Sequence, residues 1–175
     1  TTLPYSRIEF GVPPNLHIIG TMNTAYLSIE ALDTALRRRF SFEEMTPKTD
    51  LPEVHDNVEG IDLKQLLQTI NNRIERLVDR DHRIDHSYLM NVESLEQLQS
   101  VFKDRILPLL QEYFYGDMAK VGMILGNAFV QKKEDEAELA AGEWGPEEFD
   151  IPEVYELNDP MELGAEDFQA IYINA

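Results

Sequence analysis

Apolar residues in this chain change their spacing more than once. Leu16, His17, Ile18 and Ile19, entered through Pro13 and Pro14, form a short and largely apolar run that predicts a strand buried in a mostly parallel sheet. Further on, Ile29, Leu32 and Leu36 repeat at helical spacing, with Ser28 placed to cap the helix and Glu30 near the positive end of its dipole. That helix closes on Arg37, Arg38 and Arg39, with Phe40 and Phe42 following to hold them in place. From Ser41 to Gly60 no period survives; Pro47, Pro52 and several acids predict a hinge. Leu63, Leu66, Leu67, Ile70, Ile74, Leu77 and Val78 then make a clean helical stripe behind an Asp62 cap. Ser94 and Gln97 form a capping-box pattern ahead of Leu95, Leu98, Val101 and Phe102. Pro108 opens the next predicted helix, which runs to Gly116, and Asp117 caps a short one ending at Gly126. Ile84 to Met90 alternates imperfectly, as a strand would, and Ala170 to Ile173 is a second β-like run; the two are expected to pair.

Chemistry enters where the first strand ends. Gly20, Thr21, Met22, Asn23 and Thr24 place amide and hydroxyl groups at its carboxyl end, where open α/β sheets bind ligands. Rigid guanidinium groups at the end of a helix are the usual means of stabilising phosphoryl-transfer charge, although arginines there also suit the helix dipole. His82 and His86, four apart with Asp81 and Asp85 beside them, would share a face of a helix. The pattern is not H-E-x-x-H, and Ser87, Tyr88 and Leu89 favour a strand, so no metal site is assigned.

GTMNTA followed by SIEALDTALRRRF resembles the sensor 1 strand and arginine-finger helix of AAA+ NTPases, most closely the McrB-type branch, the GTPase motors of 5-methylcytosine-specific restriction systems. INNRIERLVDRDHRIDHSYLM and ILPLLQEYFYGDMAKVGMILG resemble the helical lid of the same family, so the likeness covers roughly Leu3 to Gly126 in order. The resemblance implies a mainly α chain with a little β (α+β), the C-terminal half of an AAA+ module. It implies that Asn23 orients the attacking water, that Arg38 and Arg39 act on the nucleotide of a neighbouring subunit, and that Thr21, Thr24 and Arg37 lie near the phosphates. It also implies a homo-oligomeric ring and a partner nuclease subunit. Two departures stand out. Tyr26 and Leu27 replace the Asp-Arg that commonly follows M-N-T-A in the family, which puts the usual subunit interface in doubt, and Asp85 replaces the glycine of I-G-H-S-Y.

A phosphate-binding loop needs G-x-x-x-x-G-K-[ST], and the chain has no Gly-Lys pair. Nor does an apolar strand ending in paired acids precede Asn15 to hold Mg²⁺. The expectation is a fragment whose parent uses GTP or ATP with Mg²⁺ and which by itself binds neither. The absence of cysteine excludes a disulfide framework, and no segment is long and apolar enough to span a membrane, which points to the cytoplasm.

The formal charge of −18 is concentrated at the end: −1 over residues 1–45, −5 over 46–130 and −12 over the remainder. Such a surface repels phosphate backbones, so direct DNA binding is not expected. The expected organisation is 1–45 as part of the large subdomain, 46–60 as hinge, 61–130 as lid, 131–164 as acidic linker or loop, and 165–175 as a strand docked on the lid. The competing functional class is a non-catalytic AAA+-derived interaction domain that works through its acidic surface.

Overall fold

The computed structural model describes residues 2–22, 38–133 and 153–173. They divide into two compact units, Thr1–Ser41 and Phe42–Ala175. The second is the helical body, and it holds every buried apolar residue among those described. No described helix is long and apolar enough to cross a membrane.

In the first unit, a β-bridge joins Thr2 to Glu9 around a tight turn in which Leu3 N–H donates to Ile8 O and Arg7 takes φ 55°. A second turn runs from Pro13 to Leu16. The strand expected over Leu16 to Ile19 does not form, and Ile19 is 92% exposed. A strand exists only through the ladder of a neighbour, and the described residues offer this one none.

Helix α1, Leu63–Leu77, opens on Asp62, whose carboxylate accepts from Gln65 N–H at 2.9 Å. Arg76 in its last turn suits the dipole there. Its buried residues Leu63, Leu66, Leu67, Ile70, Asn71 and Ile74 trace a single stripe, the predicted one as far as Ile74, while Val78 lies beyond the helix and is exposed. Asn71, the polar member of that stripe, bonds both main-chain groups of Ile84: its Nδ2 donates to Ile84 O at 2.9 Å and its Oδ1 accepts from Ile84 N–H at 2.7 Å. The loop after α1 is thereby fixed to the core. It forms two short 3₁₀ turns, Arg80–His82 and His86–Leu89, instead of the strand expected over Ile84 to Met90. Asp79 and Asp85 cap these turns, and side-chain caps of this kind compete with an extended ladder.

Helices α2 (Leu95–Val101) and α3 (Leu107–Tyr113) are joined without a break by a π-turn, Phe102–Ile106. Proline has no N–H to return to the carbonyl four residues back, and its ring crowds that carbonyl. Pro108 is therefore accommodated by widening the preceding turn, in which Leu107 N–H reaches Phe102 O. The expected boundary at Pro108 is thus a bulge within one rod. The rod starts on Ser94, whose hydroxyl accepts from Gln97 N–H at 3.3 Å. It ends in a Schellman arrangement in which Gly116 N–H bonds Gln111 O at 2.9 Å and Tyr115 N–H bonds Glu112 O at 3.2 Å.

Helix α4, Met118–Leu125, is capped by Asp117 and packs Gly122 close to Val130, where an added Cβ would stand 3.3 Å from the valine Cβ. Strands β1 (Val130–Lys132) and β2 (Tyr155–Leu157) pair antiparallel, Val130 opposite Leu157 and Lys132 opposite Tyr155. The acidic stretch expected as a linker thus leaves and re-enters through one two-stranded ladder; residues 134–152 lie outside the described residues.

The chain end corrects a second strand expectation. Ala165–Ile173 is a helix, α5, packed against α1 with Phe168 and Ile171 buried. Tyr172 Oη accepts from Asp62 N–H at 3.1 Å. Phe168, Phe102 and Phe129 form a triangle with ring centroids 5.0–5.5 Å apart, which ties α5, the π-turn and the approach to β1 into one core. Over four residues Ala-Ile-Tyr-Ile looks β-like; Phe168, Ile171 and Tyr172 recur at the helical offsets of three and four.

Candidate functional site

The residues expected to meet a nucleotide fall on both sides of what is described. Asn23, Thr24 and Arg37 lie outside the described residues, as do Tyr26 and Leu27. Thr21 is exposed in irregular backbone. Arg38 and Arg39 occupy a turn and are exposed, and among the described residues neither makes a hydrogen bond or an ion pair. Exposed guanidinium groups are the kind that can meet an anion brought by another molecule. Among the described residues, no group of three or more histidine, aspartate or glutamate side chains converges on a point where a metal ion could sit.

The best-defined polar geometry is in the loop after α1. His82 Nδ1 stands 2.8 Å from Asp79 Oδ1, which also accepts from the N–H groups of Asp81 and His82. The His82 ring meets Tyr113 edge-on with centroids 4.8 Å apart. Partial burial pushes the Asp79 carboxyl up, yet the His82 hydrogen bond, the Asp81 N–H and the imidazole charge together hold it below the usual carboxylate range. Asp85 behaves alike: desolvation raises it, and the Ser87 side-chain and backbone bonds with the His86 charge bring it lower than usual. The two histidines sit on different 3₁₀ turns and engage different carboxylates, so the shared helical face that would bind a metal does not arise.

His86 has a further partner that the sequence did not signal. Lys48 N–H donates to His86 Nδ1 at 3.2 Å, and Asp85 Oδ2 lies 3.2 Å from the same nitrogen. The two contacts belong to different protonation states: Nδ1 accepts the Lys48 N–H when the ring is neutral with its proton on Nε2, and donates to Asp85 when the ring is charged. Contacts across 38 residues are invisible to spacing arguments, and no local motif would have found this one. The same holds for Arg73, whose Nη1 donates to Ile124 O at 2.5 Å and whose pKa is lowered by burial.

A shallow hollow of about 490 Å³ lies beside the π-turn, lined by Tyr88, Asp104, Arg105, Pro108, Leu109 and Glu112. Its charges are mixed and its lining is open, so it specifies no ligand.

Comparison with known proteins agrees with the helical architecture. Residues 62–122 match the family model described as McrB, alpha-helical lid domain, a span from the α1 cap into α4. The chain is also 34% identical to the Type IV methyl-directed restriction enzyme EcoKMcrB subunit of Escherichia coli (strain K12), over an alignment of 138 positions. That alignment covers 67% of this chain and 30% of the relative, so the chain spans under a third of the relative's length. The chain is McrB-like, and the likeness includes its lid.

Proposed function

We propose that the chain is the C-terminal half of the AAA+ module of a McrB-type motor subunit in a cytoplasmic DNA restriction system. The observation that carries this reading is the lid match across 62–122, preceded in the same chain by the sequence Leu36-Arg37-Arg38-Arg39-Phe40 and by Asn23 after a strand-like apolar run. In this reading GTP or ATP with Mg²⁺ is held by residues outside the 175, and the chain supplies what acts upon it. Asn23 orients the attacking water through its amide, which contributes geometry more than charge. Arg38 and Arg39 reach across a subunit interface, one to the phosphate oxygens and the other to anchor the contact, with Arg37 and the hydroxyls of Thr21 and Thr24 close by. A homo-oligomeric ring and a nuclease partner belong to the same proposal, and the acidic surface makes this part of the subunit a poor DNA ligand.

The test is made in the full-length subunit. Arg38→Ala and Arg39→Ala are expected to leave nucleotide affinity nearly unchanged while turnover falls by about 10³ to 10⁵, the usual worth of an arginine finger. Mixing either variant with one disabled in the phosphate-binding loop is expected to restore part of the activity. Full turnover in both single variants would overturn the finger assignment and favour the non-catalytic interaction domain.

A further inference from the structure

The stretch Ser41 to Gly60 reads as one hinge, but its two ends are treated differently by the fold. From Glu43 to Pro47 there is no secondary structure and no backbone–backbone hydrogen bond among the described residues; Glu44 alone leans towards the lid, 3.6 Å from Arg83 and 4.0 Å from Arg80. From Lys48 onward the chain is fastened repeatedly. Lys48 N–H is held by His86 Nδ1, and Gln68 Nε2 donates to Thr49 Oγ1 at 3.1 Å. Asn91 N–H bonds Glu53 O at 2.8 Å, and Lys64 pairs with Asp56 at 2.5 Å. Val54 and Val58 are 2% and 3% exposed within the lid core. Glu59, held at φ 50°, turns its carboxylate onto Leu95 N–H at 3.0 Å, so this segment supplies part of the cap of α2. Gln169 of α5 reaches Gly60 O at 3.1 Å.

We propose that Lys48–Ile61 is a strap carried rigidly by the lid, and that hinge freedom within the stretch is confined to Glu43–Pro47. A pivot of about five residues transmits rotation more directly than one of about twenty, because slack in a linker grows with its length. Its significance for a motor rests on the functional reading above, in which the lid turns with nucleotide state. The strap itself stands on the contacts alone.

Glutamates in both segments make a direct test in the 175-residue chain without nucleotide. A protease that cleaves after glutamate is expected to cut after Glu43 and Glu44 at least about tenfold faster than after Glu53 and Glu59, since held backbone must open before it is cleaved. Val58→Asp is expected to bring the later sites up towards the earlier ones. Should that variant fail to fold, hydrogen exchange of the unaltered chain decides the matter, with slow amides at Val54, Ile61, Asn91 and Leu95 and fast ones at Glu44 to Thr46. Equal cleavage across all four glutamates, or equally fast exchange in both sets, would overturn the strap. Because neither readout needs nucleotide or a ring, failure of the finger assignment leaves this result untouched.

Discussion

Apolar side chains in the two units meet opposite fates. In residues 2–22, Leu16, Ile18 and Ile19 are 56%, 64% and 92% exposed, whereas in the lid Leu63, Leu66, Phe102, Phe129 and Phe168 are fully buried. Hydrophobicity does not separate these groups; the source of their backbone hydrogen bonds does. A helix satisfies its own N–H and C=O groups and needs neighbours only along one stripe, so α1 to α5 assemble a core from contiguous sequence. A strand leaves every backbone group to a neighbour. The run Leu16 to Ile19 carries the composition of a buried strand, finds no ladder to join among the described residues, and lies open there.

The contrast predicts that stability resides almost wholly in the second unit. Phe102 touches both other rings of the aromatic triangle, and Phe102→Ala is expected to lower unfolding stability by about 3 to 5 kcal/mol, the cost of a large cavity in a packed core. Ile18→Ala and Ile19→Ala are expected to stay within about 0.5 kcal/mol of the parent. Denaturant unfolding followed by circular dichroism measures all three. A large loss from Ile18→Ala would break the comparison, since it would give the first unit a core of its own.

Legibility followed the same division. The stripe of α1, its Asp62 cap, the Ser94 cap of α2 and the Asp117 cap of α4 were all readable, because each depends on residues within a turn or two. Both strand expectations in the lid failed for a local reason. Ile84–Met90 is diverted by caps on Asp79 and Asp85 and by the amide of Asn71, and Ala170–Ile173 belongs to a helical pattern that begins earlier, at Phe168. The Pro108 bulge required knowing that α2 and α3 are one rod. Of the candidate site, the identities of Arg38 and Arg39 were legible and their exposure was not; the grip of His86 on Lys48 could come only from the folded chain.

Asn71 offers the next largest effect. Replacing it with Ala strands the N–H and C=O of Ile84, both buried, and is expected to cost about 2 to 3 kcal/mol. It sharpens the comparison because the lid is here held by a polar group in an otherwise apolar stripe. If Asn71→Leu proves as stable as the parent, packing at this position outweighs the two hydrogen bonds.

Acid should act on the lid through the loop after α1. The Asp79 carboxyl is lower when folded than when unfolded, so its stabilising contribution is complete above the ordinary aspartate value of about 3.9 and is lost as pH falls through the lowered folded value. Asp85 adds in the same direction. Both carboxylates are about half exposed, which makes solvent screening substantial and the effect smaller than that of Asn71. Asp79→Asn is expected to flatten the acid limb of the stability curve below about pH 4, as acid unfolding followed by circular dichroism would show. An unchanged limb would place the acid sensitivity elsewhere.

The smallest expected change is a gain. Tyr115 is 93% exposed and stands at φ 52°, the left-handed position of the helix cap, with Gly116 taking the following place at φ 80°. A tyrosine there bears a steric cost of about 1 to 2 kcal/mol, because its Cβ crowds the neighbouring carbonyl. Glycine removes that cost but gives the unfolded chain more freedom, so Tyr115→Gly is expected to stabilise by only about 0.5 to 1 kcal/mol, and Tyr115→Asn by less. Arg7 occupies the same backbone region at φ 55° in the first unit, in a turn with no buried core behind it. Arg7→Gly is therefore expected to leave global unfolding unchanged even though the local strain is alike. If Tyr115→Gly and Tyr115→Asn both destabilise, the ring contributes more at its exposed position than the cap conformation costs. If Arg7→Gly stabilises as much as Tyr115→Gly, the first unit is coupled to the cooperative unfolding of the lid, and the distinction between a self-sufficient helical body and a dependent strand segment no longer holds.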